Sequence, residues 1–243
     1  MWLFIIYAFI GWCVEVVYAT VYTGKFVNRG FLNGPYCPIY GVGMIVVIIL
    51  LAPFKINLPV FFVGSVILTT LLELITGYVL ERIFNQKWWD YSNKPFNLKG
   101  YVCLGQSLVW GVGSIFVIYV LQPFVDNFIS MMSGNMGVIA LIFVLVIFMS
   151  DVVITIMALF EVKKYSRVLD EVGERVKSLS DSVGKNISDG TINAMKFGDK
   201  NVQELDSLNK RYKIISNKYI FGYRRLVKAF PSLRPIKNKK LKK

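Results

Sequence analysis

Residues 73–111 read ELITGYVLERIFNQKWWDYSNKPFNLKGYVCLGQSLVWG. Two carboxylates, Glu73 and Glu81, lie near the end of an apolar run. A short polar, aromatic-rich connector follows, and then a second apolar run. Continuous apolar runs, without a two-residue alternation, are the pattern of helices in lipid, where each segment must satisfy its own backbone hydrogen bonds. Comparable runs recur through the first two-thirds of the chain, each near the ~20 residues that cross a bilayer. Five spans are predicted, at about 2–22, 38–54, 58–82, 101–124 and 137–160, of which the second is short and glycine-bearing. The expected fold is an all-α polytopic membrane protein of about five transmembrane helices over residues 1–162, with a cytoplasmic helical, coiled-coil basic tail over 163–243.

Composition agrees. Hydrophobic residues make up 55% of the 243, and the mean hydropathy is +0.52. The first run has no basic segment before it, carries Glu15 inside it and ends without a small-residue cleavage site, so it reads as a retained span. The net charge of +13 is unevenly placed. Residues 1–162 hold seven basic and seven acidic side chains, so the whole excess falls in the tail, after its last acid, Asp206.

There is no histidine, and the three cysteines (Cys13, Cys37, Cys103) form no CxxC. A zinc site of the usual type has no ligands, and histidine-assisted nucleophilic catalysis is excluded. No catalytic residue, metal or cofactor is assigned. Cys37 and Cys103 read as packing residues.

Basic residues set the orientation. The connector after span one carries Lys25 and Arg29, the one after span three Arg82, Lys87, Lys94 and Lys99, and the tail most of the rest. The connector after span two has only Lys55 and the one after span four has none. All segments agree if the C-terminus is cytoplasmic and the N-terminus outside. Both polar connectors then face the cytoplasm.

An internal two-helix repeat (2–54 and 58–124) is suggested by Gly11-Trp12-x-x-Glu15 against Gly77-Tyr78-x-x-Glu81, and by Asn28, Gly30 and Phe31 against Asn97, Gly100 and Tyr101. Each connector then gives a cysteine and re-enters through aromatic-Gly-Val-Gly, at Tyr40 to Gly43 and Trp110 to Gly113. General enrichment of glycine and aromatics at span ends is the competing explanation.

In the tail, apolar residues from Val162 to Val183 recur at spacings of three and four, a heptad stripe that suits a coiled coil or a helix packed on its own protein. Residues 184–201 read as a linker and 202–220 as a second helix. The last stretch mixes aromatic and basic residues, which favours anionic lipid at ~1 kcal/mol per basic residue. Nucleic acid is the less favoured partner.

A carboxylate at membrane depth costs ~2.5–3.5 kcal/mol on insertion scales and marks function or an internal partner. At ~1.5 Å per residue, Glu15 lies ~10 Å, Glu73 ~13 Å and Asp151 ~15 Å from the cytoplasmic ends, whereas Glu81 is interfacial. No basic residue shares those depths, so each acid must be protonated, hydrogen-bonded, cation-bound or paired with a loop that dips in. Arg29 is the best partner candidate, because its connector carries Gly30, Gly34, Pro35 and Pro38 and can fold back. The candidate substrate-binding set is Glu15, Asn28, Arg29, Glu73, Glu81, Asp90, Tyr91, Asn97 and Asp151. Structural pairing between helices is the alternative for each acid.

The motifs GWxxE, NRGFLxGPxCPIYGxG, ExxTGxxLE, WWDYS, PFNxxG, CL and SxxWG, from Gly11 to Gly111, resemble the ABC-transporter type IV family, also labelled CmpB. The resemblance implies a multi-pass protein of the bacterial cell membrane, classed as a permease. The chain has no GxxxxGK[ST], so any ATPase would be a separate subunit. The reading is a transporter component that holds a small polar or cationic ligand in a cytoplasm-facing cavity, assembled as a homo-oligomer. A membrane-embedded enzyme acting on lipid, and a non-catalytic scaffold, are the alternatives.

Overall fold

The structure is a computed structural model that describes the backbone of residues 1–188 apart from Gln86, and the side chains as far as Phe160 together with Ser178. Six α-helices carry it: α1 (Trp2–Thr23), α2 (Pro38–Leu51), α3 (Leu58–Phe84), α4 (Leu104–Phe116), α5 (Gln122–Met131) and α6 (Asn135–Ser188). Among the described residues, four helical stretches are long and apolar enough to cross a membrane: Trp2–Thr23, Leu58–Phe84, Leu104–Met131 and Asn135–Phe160. The segment at 38–54 is a shorter apolar helix ending in a 3-10 turn, so the second of the five expected spans is not established as a crossing.

Local chemistry sets the helix ends. Gly24 closes α1 in the left-handed conformation (φ 67°), returning its amide to Thr20 O. Asn57 caps α3 by accepting from the Val60 amide at 3.2 Å, and Asn85 closes it at φ 57°. The fourth expected span runs on to Met131, past its anticipated end near 124. Pro123 has no amide to donate and crowds the carbonyl a turn earlier. The helix widens into a π stretch at Val117–Leu121 just ahead of it and continues.

α1 packs on α2, α2 on α3, and α3 on α4. At one end of the bundle Val47, Leu51, Phe61 and Ile118 form a cluster from α2, α3 and the π stretch. A second cluster joins Ile5 of α1 and Phe148 of α6 to Leu32, a residue of the α1–α2 loop that is fully buried. That loop is part of the bundle and not a surface excursion. The α3–α4 loop instead forms a small antiparallel hairpin, β1 (Asn97–Leu98) against β2 (Val102–Cys103), with Asn97 opposite Cys103. The two loops meet at one end, where the Phe31 and Trp88 rings stand 5.0 Å apart. Trp2 and Phe128 meet 6.4 Å apart, joining the start of α1 to α5.

Residues 1–156 form one compact unit, and Met157 belongs to a second. The helix α6 continues through the expected heptad stripe as far as Ser188, but the side chains of that stripe, the linker, the second tail helix and the basic end lie outside the described residues.

Candidate functional site

Three carboxylates inside the bundle are handled in three different ways. Glu15 of α1 is charge-paired: Arg29 Nη1 lies 3.5 Å from its Oε2, and the Tyr40 hydroxyl donates to its Oε1 at 2.7 Å. Asp151 of α6 is satisfied by backbone and amide donors. The Gly34 amide donates to its Oδ2 at 2.6 Å. The Asn33 amide and Nδ2 donate to its Oδ1 at 3.1 and 2.9 Å, and Thr155 Oγ1 lies 3.2 Å from the same oxygen. Glu73 of α3 is neither paired nor satisfied. Its side chain is 7% exposed, the Tyr91 hydroxyl donates to Oε1 at 3.2 Å, and Oε2 has no hydrogen-bond partner among the described residues. The Trp110 side chain approaches the same carboxyl but does not satisfy that oxygen.

Glu15 and Glu73 belong to one polar centre. The Tyr40 ring meets the edge of Trp110 with centroids 5.1 Å apart, and the charge of Glu15 acts on both Glu73 and Tyr91. The line Arg29–Glu15–Tyr40–Trp110–Glu73–Tyr91 therefore draws on α1, α2, α3, α4 and both loops. Two glycines make it fit. A Cβ on Gly11 would stand 2.2–2.6 Å from the Tyr40 side chain, so only hydrogen lets Tyr40 lie across α1. A Cβ on Gly77 would meet the Trp89 and Tyr101 rings at 3.1 Å, a tight but lesser approach. Burial, reinforced by the charge of Glu73, holds the Tyr91 phenol far above its ordinary range, so it remains a donor. Burial and the charge of Glu15 push the Cys37 thiol up to about 12, which suits packing and not nucleophilic attack.

The remaining expected residues stand apart from the acids. Asn28 braces the first loop: its Oδ1 accepts from Trp12 Nε1 at 2.8 Å and from the Gly30 amide at 3.0 Å. Asn97 does the equivalent in the second loop, accepting from the Gly100 amide at 3.1 Å and donating to Lys94 O at 2.8 Å. Asp90 is exposed and ties a turn, accepting from the Ser92 amide and hydroxyl at 3.0 and 2.5 Å, with Lys87 Nζ at 3.5 Å. Slight burial pushes its carboxyl up, and the Ser92 and Lys87 donors together bring it below its ordinary value. Glu81 faces Tyr101, and its Oε2 is buried without a hydrogen-bond partner among the described residues.

Sequence reasoning did not assign Tyr40 or Trp110 to the site. The signal was the aromatic-Gly-Val-Gly run that both helices share. It also passed over a buried ladder in which the Tyr7 hydroxyl donates to Gln122 Oε1 and Gln122 Nε2 donates to Asp126 Oδ1 at 2.7 Å. Among the described residues no cluster of three His, Cys, Asp or Glu is placed to hold a metal. An open groove of about 510 Å³ beside α1 and α5 is lined by apolar residues including Trp2, Phe9, Phe124 and Phe128, and by none of the acids.

A family model described as "Putative ABC-transporter type IV" matches residues 2–156. The match ends where the first compact unit ends, and it takes in Asp151 and the Tyr7–Gln122–Asp126 ladder beyond the motif run. No curated protein and no solved structure matches the chain.

Proposed function

The chain belongs to the ABC-transporter type IV family, and from that premise we propose that it is the membrane-embedded component of a transport system that holds a small cationic or polar ligand at Glu15 and Glu73. The carrying observation is Glu73: a carboxyl group 7% exposed, with Oε2 unpartnered among the described residues, inside an apolar bundle. A polar group without a partner in such surroundings costs several kcal/mol, roughly 2–7 by reference state. A ligand that donates to Oε2 removes that cost. Glu15 supplies the companion charge, and Tyr40, Trp110 and Tyr91 supply aromatic walls of the kind that favour cations.

Orientation follows the basic residues, with the N-terminus outside and the two loops and the tail in the cytoplasm. Support comes from the shared position of the loops, which carry six of the seven basic residues of 1–162 or adjoin them. ATP hydrolysis falls to a separate subunit, since the sequence has no P-loop. The basic tail is assigned to anionic lipid, and a dimer gives the few spans a larger common bundle.

The test is uptake of radiolabelled methylammonium and guanidinium into proteoliposomes of the full chain. Glu73→Gln keeps the shape and removes the charge, and is expected to abolish uptake without changing thermal stability. Uptake equal to wild type would sink the reading. A loss of phenotype that followed truncation after Tyr165 and spared Glu73→Gln would favour a scaffold. A cysteine at Asn93 that reacted from outside intact cells would reverse the orientation.

A further inference from the structure

We propose that Arg29 is a tethered cation: its guanidinium fills the place at Glu15 that a monovalent organic cation takes, and the α1–α2 loop is an internal plug that such a cation unseats. The inference rests on the reading of Glu15 and Glu73 as the ligand site, and it specifies the ligand as one bearing a guanidinium or amine head.

The loop is held unequally at its two ends. At the far end Asn33 and Gly34 are fixed to Asp151 by bonds of 2.6–3.1 Å. At the near end one 2.8 Å bond, from Trp12 to Asn28, stands beside an Arg29–Glu15 contact that is single and 3.5 Å long, where a charge-assisted bond is about 2.7–2.9 Å. Both partners keep about a quarter of their side-chain surface exposed, 26% and 25%. The guanidinium carbon also lies 5.3 Å from the Tyr18 ring, so the site already accommodates a planar cation against an aromatic face. Glu15 Oε1 is occupied by Tyr40 and stays in place when Arg29 leaves, while Glu73 offers the free oxygen for a second donor on the same ligand. Release at the near end breaks the Trp12–Asn28 bond and lifts Val27, which is 7% exposed and packed on Ala19. The clamp at Asp151 keeps the loop from leaving altogether. Arg29 therefore competes with the ligand and sets which cations enter.

Val27 reports the motion. In the full chain with Cys13, Cys37 and Cys103 replaced by alanine, Val27→Cys should react slowly with maleimide. Millimolar guanidinium, at constant ionic strength and unchanged melting temperature, should accelerate it about fivefold, the effect of losing a partly exposed ion pair. Adding Arg29→Ala should give the fast rate without guanidinium, and Arg29→Lys the slow one. Adding Glu15→Gln should give a fast rate that guanidinium no longer alters. Labelling indifferent to guanidinium in the parent, or slow in Arg29→Ala, overturns the proposal. If the cysteine-free chain does not fold, trypsin cleavage after Arg29 in the unaltered chain reads the same opening, and must quicken with guanidinium. Opening by guanidinium without uptake would retain the plug and reject transport. Uptake with no opening would do the reverse.

Discussion

The α1–α2 and α3–α4 loops begin from similar sequence and end in opposite structural roles. Each sets an asparagine to accept from a glycine amide, Asn28 from Gly30 and Asn97 from Gly100, and in each half a helix glycine lies under aromatic rings, Gly11 under Tyr40 of α2 and Gly77 under Trp89 and Tyr101. The first loop then turns inward. It buries Leu32, sends Arg29 to Glu15 and caps Asp151. The second loop satisfies itself. Asp90, Ser92, Lys94 and Asn97 bond to one another, and Phe96, Lys99 and Gly100 take left-handed conformations that close a tight hairpin. Its inward contacts are Tyr91 to Glu73 and the aromatic packing of Trp88 on Phe84 and of Trp89 and Tyr101 over Gly77. The acid beside the invading loop is consequently paired, and the acid beside the self-contained loop is left with an open oxygen. A local backbone device specifies a turn; whether the turn docks depends on what its other side chains find.

That contrast can be broken at the helix glycines first. Gly11→Ala puts a methyl group within 2.6 Å of Tyr40 next to its backbone, and should lower stability by about 3 kcal/mol or prevent folding, the upper range for overpacking. Gly77→Ala meets rings at 3.1 Å and should cost about 1 kcal/mol. Thermal unfolding in detergent checks both, and equal effects would mean the halves are packed alike. Next come the loop anchors. Asp151→Ala orphans the Asn33 and Gly34 donors and should cost about 2 kcal/mol, while Asn97→Ala, at an exposed turn, should cost under about 1.

The cysteine in the inward loop sharpens the comparison further. With its thiol pushed up to about 12, Cys37 should resist alkylation at pH 9 in the folded protein and react once denaturant is added. Mass analysis of the labelled chain checks this, and rapid native labelling would show that the loop does not seal it. The smallest effect belongs to the self-contained loop. Because the Asp90 carboxyl lies below its ordinary value when folded, its contribution is present at neutral pH and lost as pH falls through that lowered value, below about 4. Hydrogen exchange at the Ser92 amide should rise there in wild type, relative to its neighbours, and be raised at all pH in Asp90→Ala.

Much of the fold was legible because lipid allows so few backbone solutions. Uninterrupted apolar runs declared the helices, and Arg29 stood out as a cation in a glycine- and proline-rich connector. The exceptions have identifiable causes. Residues 38–54 are apolar throughout yet make only a short helix closed by a 3-10 turn, since composition does not set length when Pro38 and Pro53 bracket the run. The fourth run does not end near 124, because Pro123 is absorbed by a π stretch and the helix goes on to Met131. Tyr40 and Trp110 could be seen as recurring residues but not as neighbours, and the Tyr7–Gln122 bond joins positions 115 residues apart with no motif between them.

The sequence by itself determined that this is a helical membrane protein of its family, with acids in its spans and its excess charge in the tail, because hydropathy and charge are properties of segments. Only the tertiary structure decided that Glu15 has a cation, Asp151 a backbone cradle and Glu73 an unfilled oxygen. Those fates depend on which side chains arrive from elsewhere in the chain, and three carboxylates in apolar runs carry no local mark of their partners.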